Sequence, residues 1–364
     1  MAPLEPWEKV LVSEKWRDDP HAEASCLDCH GGVQEAEKDA AHTGLIANPS
    51  ADAQALCGEC HLETVDSFAT SLHASLSGYW TVINTRSVPE NHPALEEMFG
   101  NHCASCHSTC GDCHISQPSS VGGGLLNGHV FEKTPPMTRT CTACHGSRVG
   151  AEYLGKHEGI PGDVHFRQER FNCMNCHTGE SLHASASESD PHRYSGEQSP
   201  TCESCHAESG ANVLQHMLHQ DKLSCQVCHS VQYTSCEGCH VAISETSGKP
   251  FFKTEASYLS FFIGYNPIQN EFHPYQYVTL RHVPISPDSF SYYGEELLPN
   301  FNSLPTWTYA TPHNIQRITP QNEKCENCHG NPDIFLTADK VKAEELEANQ
   351  AVIVPQAPAL VGVP

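Results

Sequence analysis

Regular patterns of hydrophobic and polar positions cover only short parts of this chain. The segment NVLQHMLHQ (212–220) has a helical pattern with Asn212 at its N-terminal cap, and its His216 and His219 lie three residues apart on one face. A second helix is predicted over 338–350. The pattern therefore predicts a few short helices in a mostly irregular chain.

Two further segments differ from the rest in pattern. Residues 241–324 carry most of the aromatic side chains, and their pattern predicts short strands separated by prolines, as in YQYVTLRHVPIS (275–286). The segment AVIVPQAPALVGVP (351–364) has no charge, so we expect it to pack on its own globule or on a neighbouring subunit. No run of 18 apolar residues occurs, and we expect no membrane span.

Composition leaves little apolar material for a conventional core. Only 38% of the 364 residues are hydrophobic and 8% are aromatic, while glycine and proline number 25 each. A chain this rich in loops does not offset its ordering entropy with its own side chains. The chain has a formal charge of −24, whereas a protein that binds nucleic acid needs a basic surface. We therefore expect no nucleic-acid partner.

All 20 cysteines belong to ten C-x-x-C-H motifs, numbered 1 to 10 along the chain. This is the attachment signature of c-type haem, in which two thiols bond to the porphyrin and the histidine ligates the iron. The cysteine pairs are Cys26/Cys29, Cys57/Cys60, Cys103/Cys106, Cys110/Cys113, Cys141/Cys144, Cys173/Cys176, Cys202/Cys205, Cys225/Cys228, Cys236/Cys239 and Cys325/Cys328. The motif histidines are His30, His61, His107, His114, His145, His177, His206, His229, His240 and His329.

Other uses of paired cysteines fit this pattern less well. A zinc site needs a second ligand pair and no histidine at a fixed offset. Disulfides do not require a histidine after every second cysteine, and a thioredoxin-like pair occurs once in a chain. The predicted cofactor is therefore ten covalently attached haem c groups, on which the chain folds.

The second axial ligand of each iron is expected to be another histidine. Fifteen histidines lie outside the motifs, whereas the chain has only five methionines, and bis-histidine ligation keeps haem potentials low. His21, His92, His157 and His273 remain open substitutes, and His102 ranks lower because it abuts Cys103. The predicted ligands are His42, His73, His129, His165, His183, His192, His216, His219, His282 and His313.

The spacing of the motifs predicts how the haems are grouped. SLHAS occurs at 71–75 and at 181–185, which indicates a reused ligand-bearing segment. The shortest tethers lie within 103–114 and 225–240, so we expect the closest haem pairs there. The predicted fold is a haem-organised, mostly irregular coil with a few short α-helices and little β structure, in which the haem chain forms the core.

Three regions are predicted along the sequence. A nine-haem electron-transfer region covers residues 1–240, and a haem-free, aromatic, β-rich or irregular subdomain covers 241–324. The tenth haem, a short helix and the apolar tail occupy 325–364.

Over residues 21–330 the motif set resembles multihaem c-type cytochromes of extracellular electron transfer, including those that polymerise into conducting filaments. The segment from Cys103 to His145, with its doubled motif, GGGLLNGHVF and TCTACHG, carries much of this likeness. The resemblance implies a continuous chain of bis-histidine haems whose terminal members meet those of the next subunit. Motifs near both ends, at Cys26 and Cys325, agree with this, and the apolar tail would clasp a partner subunit.

The resemblance also implies location and partners. We expect an exported protein whose leader has been removed, at the cell surface or outside the cell, with the periplasm as the alternative. The expected partners are other copies of the chain, other redox proteins and extracellular electron acceptors.

Three functions are compatible with these features. The first is a conductor without catalytic residues, assembled as a filament. The second is a discrete periplasmic electron shuttle. The third is an oxidoreductase of the nitrite, hydroxylamine or tetrathionate type, which needs one iron with an open position. Several such families mark that iron with a proximal lysine, but all ten motifs here end in histidine.

Overall fold

The computed structural model describes residues 4–104, 108–184, 199–207, 212–219, 222–236, 238–254, 257–259 and 261–360. Its architecture is mixed, with short helices, small antiparallel sheets and much coil. This agrees with the short helices and irregular chain that the sequence predicts. Among the described residues, no helix has the length and apolar character needed to cross a membrane.

Most helices are one or two turns long. The longest, α3, bends at His61, where the backbone leaves the helical region (φ −117°, ψ 37°). The α-helices are α1 (Cys26–His30), α2 (Lys38–Ala41), α3 (Gly58–Ala69), α4 (Leu72–Ser75), α5 (Ser77–Arg86), α6 (His92–His102), α7 (Cys110–His114), α8 (Cys141–Cys144), α9 (Ala151–Leu154), α10 (Val164–Glu169), α11 (Gly179–His183), α12 (Glu203–His206), α13 (Leu214–His219), α14 (Cys225–His229) and α15 (Leu346–Asn349).

Shorter helical turns connect these elements. A π-helical turn covers Gly146–Gly150. The 3₁₀ turns are Glu8–Val10, Glu14–Asp18, Pro20–Glu23, Pro49–Asp52, Pro89–Asn91, Ser119–Val121, Cys173–Asn175, Phe301–Ser303, Cys325–Asn327, Pro332–Ile334, Ala338–Lys340 and Ala343–Glu345.

The described strands lie between residues 234 and 309. Strand β1 pairs with β4, β2 pairs with β3, and β5, β6 and β7 form a three-stranded sheet with β6 in the centre, all antiparallel. Their bounds are β1 (Thr234–Cys236), β2 (Cys239–Ile243), β3 (Pro250–Thr254), β4 (Ser257–Leu259), β5 (Phe262–Tyr265), β6 (Tyr277–His282) and β7 (Trp307–Tyr309).

The two predicted helices differ in outcome. Helix α13 confirms a helix within 212–220, although it begins at Leu214, two residues after the predicted cap Asn212. A continuous helix over 338–350 is wrong, because this segment consists of two 3₁₀ turns followed by α15. The chain is extended at Val341 (φ −96°, ψ 134°), where the side chain is buried in the core. Tertiary packing of Val341 therefore overrides the helical pattern.

Contacts divide the chain into two compact units. The first unit comprises Met1–Leu76, Ser105–Gly146 and Asn172–Ala186. The second comprises Ser77–Ala104, Ser147–Phe171 and Ser187–Pro364. Each unit is built from several separate chain segments, whereas the three predicted regions were drawn as consecutive stretches.

The second unit has an apolar core around its three-stranded sheet. Val278, Leu280 and Leu336 are fully buried there with Trp307. Helices α5 and α6 add Ile83, Leu95 and Met98 to a neighbouring cluster with Val241, Ile285, Leu297, Leu298 and Phe301. This unit therefore has a hydrophobic core of its own.

The C-terminal segment belongs to that core. Val352 and Val354 are 0% and 1% exposed, and the N–H of Val354 donates to the Leu336 carbonyl at 2.8 Å. The Val352 carbonyl passes so close to β5 that a Cβ on Gly264 would lie 2.6 Å from it. The described tail therefore packs on its own chain, which is one of the two arrangements that the sequence predicts, and a clasp on a partner subunit stays a prediction. Residues 361–364 lie outside the described part.

The first unit differs sharply in its interior. Among its described residues, the buried hydrophobic side chains are Val65 and Leu126. Two such side chains do not form the core of a unit of this size. Another source of apolar surface is needed to explain its compactness.

Candidate haem-attachment sites

Most of the described motifs form a single helical turn that starts at or beside the first cysteine. A helical turn places the two cysteines on one face and the histidine beside the first of them. Motif 9 is different, because Cys236 ends β1 and Cys239 and His240 begin β2. The helical motifs are those in α1, α3, α7, α8, α12 and α14 and in the turns Cys173–Asn175 and Cys325–Asn327.

Residues around the motif cysteines cap several of these turns. Ser25 accepts a hydrogen bond from the Asp28 N–H, and the Asp28 carboxylate accepts one from the Ser25 N–H at 2.7 Å. Thr109 and Asp112 form the same reciprocal capping box at motif 4. These capping hydrogen bonds join the residue before the first cysteine to the residue before the second cysteine. They stabilise helical turns that are too short to be stable in isolation.

The attachment cysteines differ in how far the chain covers them. Motifs 6 and 7 show the difference within one turn, since Cys173 and Cys202 are half-buried whereas Cys176 and Cys205 are exposed. The exposed attachment cysteines are Cys26, Cys29, Cys60, Cys144, Cys176, Cys205 and Cys325.

Seven motif histidines each face one histidine from outside the motifs. The ring centres lie 5.9–6.2 Å apart in every pair. Each pair lies within one unit, four in the first and three in the second. The pairs are His30–His129, His61–His21, His114–His183, His145–His73, His206–His165, His229–His216 and His329–His219.

This spacing fits two axial ligands of one metal ion. An imidazole nitrogen lies about 2 Å from a bound metal, so two rings on opposite sides have centres about 6 Å apart. The described pairs therefore fit a six-coordinate iron. Their relative ring planes vary, from 33° for His114–His183 to 89° for His145–His73.

In several motif histidines, a hydrogen bond to a backbone carbonyl determines which ring nitrogen is left to bind a metal. The Nδ1 of His30 lies 3.0 Å from the Ile46 carbonyl oxygen, and that of His114 lies 2.6 Å from the carbonyl of Glu132. His229 and His329 are held in the same way, at 3.1 and 3.2 Å from the carbonyls of Gln316 and Ala359. A donated Nδ1–H leaves the Nε2 lone pair for a metal, as is usual for ligating histidines.

Aspartates hold two of the partner histidines similarly. Asp19 lies 2.8 Å from the Nδ1 of His21, and Asp163 lies 3.1 Å from the Nδ1 of His165. Burial alone raises the pKa of Asp19, but hydrogen bonds from His21 and from the Phe131 N–H outweigh it and lower the pKa below 3.8. The carboxylate therefore stays charged and orients the ring.

Burial keeps some of these rings neutral. It lowers the pKa of His73, and the neighbouring His145, His177 and His183 lower it further. Burial and His114 likewise lower the pKa of His183. A neutral imidazole is the form that binds a metal.

Helix α13 carries two ligand candidates on one turn. His216 faces His229 and His219 faces His329, and the Nδ1 of His219 is 2.7 Å from the Gln215 carbonyl. The sequence predicts that His216 and His219 share one helix face, and this face supplies one candidate ligand to each of two motifs.

The repeated SLHAS segment also has paired histidines in both copies. Ser71 caps α4, which carries His73, and Thr178 caps α11, which ends at His183. Both histidines face motif histidines of the first unit.

His21 is the pair member that the sequence prediction ranked only as a substitute. A local signal distinguishes it, since Asp19-Pro-His21 has the same D-x-H spacing as Asp163-Val-His165. In both cases the aspartate holds the Nδ1. His192, in Asp190-Pro-His192, shares the spacing and lies outside the described residues.

The structure gives His282 a different partner. This side chain is 1% exposed in the second-unit core, and its Nε2 lies 2.9 Å from Glu345. His42 is exposed at the end of α2. The N–H of His313 donates to Glu152 at 2.7 Å, and burial raises the pKa of Glu152 to about 8 despite this hydrogen bond. None of these three histidines belongs to the seven pairs.

Some predicted site residues lie outside the description. Cys106, His107 and His192 fall in undescribed segments, and only the backbone of Cys236 is described. His177 and His240 are described, but they are not members of the seven pairs. Within the described part of the chain, no three His, Cys, Asp or Glu side chains converge as a metal-binding cluster. A structural zinc site, which takes four such ligands, therefore has no counterpart there.

Comparison of the chain with protein-family models, with curated proteins and with solved structures found no match.

Proposed function

We propose that this chain is a decahaem c-type cytochrome that carries electrons along bis-histidine haems. The observation that carries the proposal is the set of seven histidine pairs with ring centres 5.9–6.2 Å apart. Each joins one C-x-x-C-H histidine to one other histidine. If these contacts arose by chance, they would not join a motif histidine to a histidine outside the motifs in all seven pairs.

The interior of the first unit supports the same proposal. This unit holds motifs 1, 2, 4, 5 and 6 but buries only Val65 and Leu126 among its described apolar side chains. Porphyrin faces would supply the missing apolar surface, and thioether bonds would fix the chain around them. The haem groups thus form the core of this unit in our proposal.

The exposed attachment cysteines fit the same chemistry. Cysteine is among the most buried residue types when its thiol is unmodified, yet Cys176 and Cys205 lie at the surface of their turns. A thioether to a porphyrin would cover these sulfurs with the porphyrin edge. At motifs 6 and 7 the haem would therefore lie against its turn on the side of the second cysteine, where the chain itself gives little cover.

The chain's own residues set the properties of the site. Haem bound by two histidines supplies one-electron redox chemistry at low potential. Asp19, Asp163 and the carbonyls of Ile46 and Glu132 orient the rings and raise their basicity. On α13, Leu214, Met217 and Leu218 are exposed next to the two ligand candidates and offer apolar contacts to a porphyrin.

The oxidoreductase remains the alternative function, because it needs only one open iron. Low-temperature electron paramagnetic resonance (EPR) of the oxidised protein separates the two functions. Low-spin signals alone support the conductor, whereas a stoichiometric high-spin signal supports an enzyme.

Paired variants test the ligand set directly. We expect about ten haems per chain by pyridine haemochrome assay, and His216→Gln should convert one iron to a high-spin, cyanide-binding form. The matched variant His282→Gln keeps a side chain that can hydrogen-bond Glu345, and it should leave all signals low-spin. Unchanged low-spin signals in His216→Gln, or a high-spin signal in His282→Gln, would contradict the assignment.

Self-assembly into a filament and an extracellular location stay part of the proposal through the resemblance alone. The buried Val352 and Val354 no longer support a clasp. Deleting the tail would also remove the Ala359 carbonyl that holds His329. Negative-stain imaging of the full chain, together with its mass in solution, is therefore the appropriate test. Fibres support the filament, and a monomer supports the discrete shuttle.

A further inference from the structure

The first cysteines of six motifs meet in three pairs. Side-chain hydrogen-bond contact joins Cys57 to Cys110, Cys141 to Cys173, and Cys202 to Cys225. The motifs that touch are 2 and 4, 5 and 6, and 7 and 8.

A local docking site explains why motif 4 meets motif 2. The Ser50 hydroxyl, in the turn before motif 2, lies 2.7 Å from both Asn48 and Thr109, and Thr109 caps the turn of motif 4. Gly111 leaves room for Ser50, because a Cβ there would lie 2.5 Å from the Ser50 hydroxyl. These contacts hold the two attachment turns together independently of the chain between them.

Motifs 7 and 8 contact each other reciprocally. The Cys225 thiol donates to the Glu203 carboxylate at 3.4 Å, and the Gln226 amide donates to the Cys202 sulfur at 4.0 Å. The first cysteine of each motif is therefore contacted by the second residue of the other motif. Glu203 contacts Cys225, and Gln226 contacts Cys202. Tyr275 also donates to Glu203 and fixes that carboxylate.

Electrostatic interactions between further cysteines connect these pairs into two series. Cys29 lies within electrostatic reach of Cys57, and Cys113 lies within reach of Cys141 and Cys144. In the second unit the Cys328 thiol is within reach of Cys228. Each series stays inside one unit.

Contact between attachment sulfurs constrains the attached groups. A thioether joins the sulfur to the porphyrin edge, so two sulfurs in contact bring two porphyrin edges together. Electron exchange weakens steeply as the gap between edges grows. The closest sulfur pairs therefore mark the fastest exchange.

We infer that the haems of motifs 2 and 4, 5 and 6, and 7 and 8 form closely coupled pairs, within a series 1, 2, 4, 5, 6 in the first unit and 7, 8, 10 in the second. Along such a series each transfer would move one electron from a ferrous to a ferric iron and would make or break no bond. The inference rests on the proposed function. The expected close pair of motifs 3 and 4 involves Cys106 and His107, which lie outside the described residues, and it stays a prediction.

Haem-omission variants test the order. Porphyrins in close contact give an exciton-coupled Soret circular dichroism couplet, which disappears when either partner is removed. Omitting haem 2 (Cys57→Ala with Cys60→Ala), haem 4 (Cys110→Ala with Cys113→Ala) or both should remove one and the same couplet, so the losses are not additive. The matched control omits haem 6 (Cys173→Ala with Cys176→Ala) alone and with haem 2, which is not its neighbour in the series, and its losses should be additive.

The outcomes separate the inference from the proposed function. Additive losses for haems 2 and 4 would overturn the pairing, while ten haems per chain would still support the cytochrome. Should a variant not fold, an experimental structure of the native haem-loaded protein decides, because the haem nearest to that on Cys57 must be the one on Cys110. A haem-free native protein would overturn the proposed function itself.

Discussion

At the scale of single residues, hydrogen bonds decide which histidines are available as ligands. The Nδ1 atoms of His30, His114 and His229 lie against backbone carbonyls, which leaves Nε2 free to bind a metal. In His282 the arrangement is reversed, since Nε2 lies against Glu345. In our proposal a histidine therefore serves either an iron or the protein core, depending on which of its nitrogens the fold occupies.

The buried His282–Glu345 pair should stabilise the second unit in a pH-dependent way. Burial alone raises the pKa of Glu345, but His282 and Thr306 outweigh it and lower the pKa below 4.5. A lowered pKa in the fold contributes stability above the unfolded-state value, and this stability is lost as pH falls through the folded-state value. Glu345→Ala should therefore cost about 3–5 kcal/mol at neutral pH and clearly less in acid.

Denaturant unfolding followed by far-ultraviolet circular dichroism, at pH 7 and in acid, measures this difference. The neighbouring Glu344 is exposed, and Glu344→Ala should change the free energy of unfolding by no more than about 0.5 kcal/mol. An equal cost for Glu345→Ala at both pH values would show that the ionised Glu345 carboxylate is not what stabilises the core.

At the scale of elements, the tail acts as part of the second-unit core and of motif 10. Val352 lies in the cluster of Leu280 and Trp307, and the Ala359 carbonyl lies 3.2 Å from the Nδ1 of His329. An uncharged segment is compatible with a subunit contact, but here its valines fill the interior of its own chain. Sequence alone left both possibilities open.

Truncating the tail's core residue should destabilise this unit without changing haem content. Val352→Ala removes buried methyl groups from a well-packed site and should lower the free energy of unfolding by roughly 2 kcal/mol. Leu360 is 48% exposed, so Leu360→Ala serves as the control and should have little effect. Thermal unfolding with a haem assay on each variant checks both expectations. Equal melting temperatures for the two variants would place the tail outside the core.

At the scale of the whole molecule, the two units have different sources of stability. The second unit packs Val278, Leu280 and Leu336 around its sheet, whereas the first unit buries Val65 and Leu126. Folding of the first unit should therefore depend on haem attachment, as folding depends on the metal in small metal-binding domains.

Production of the chain without haem attachment tests this dependence by hydrogen exchange. In the haem-free chain we expect no protected amides in α1, α3 or α7, because their turns are too short to persist without packing. Amides of β5, β6 and β7 should keep measurable protection, since their core consists of side chains. The haem-loaded protein is the control and should protect both sets. Protected amides in α3 of the haem-free chain would contradict a haem-based core.

The sequence by itself determined the chemistry that we propose for this protein. Ten C-x-x-C-H motifs predict where haem attaches, because attachment depends on residues adjacent in the chain. It also predicted six of the seven paired partner histidines, with the short helix that carries His216 and His219. The seventh, His21, was distinguishable by its D-x-H spacing.

Only the tertiary structure decided which residues meet. It paired each histidine with its motif, brought motif 4 to motif 2 through Ser50 and Gly111, and buried His282 and the tail valines. These arrangements depend on contacts between residues far apart in the chain. Local pattern carries no information about such contacts, so it misplaced the helix over 338–350.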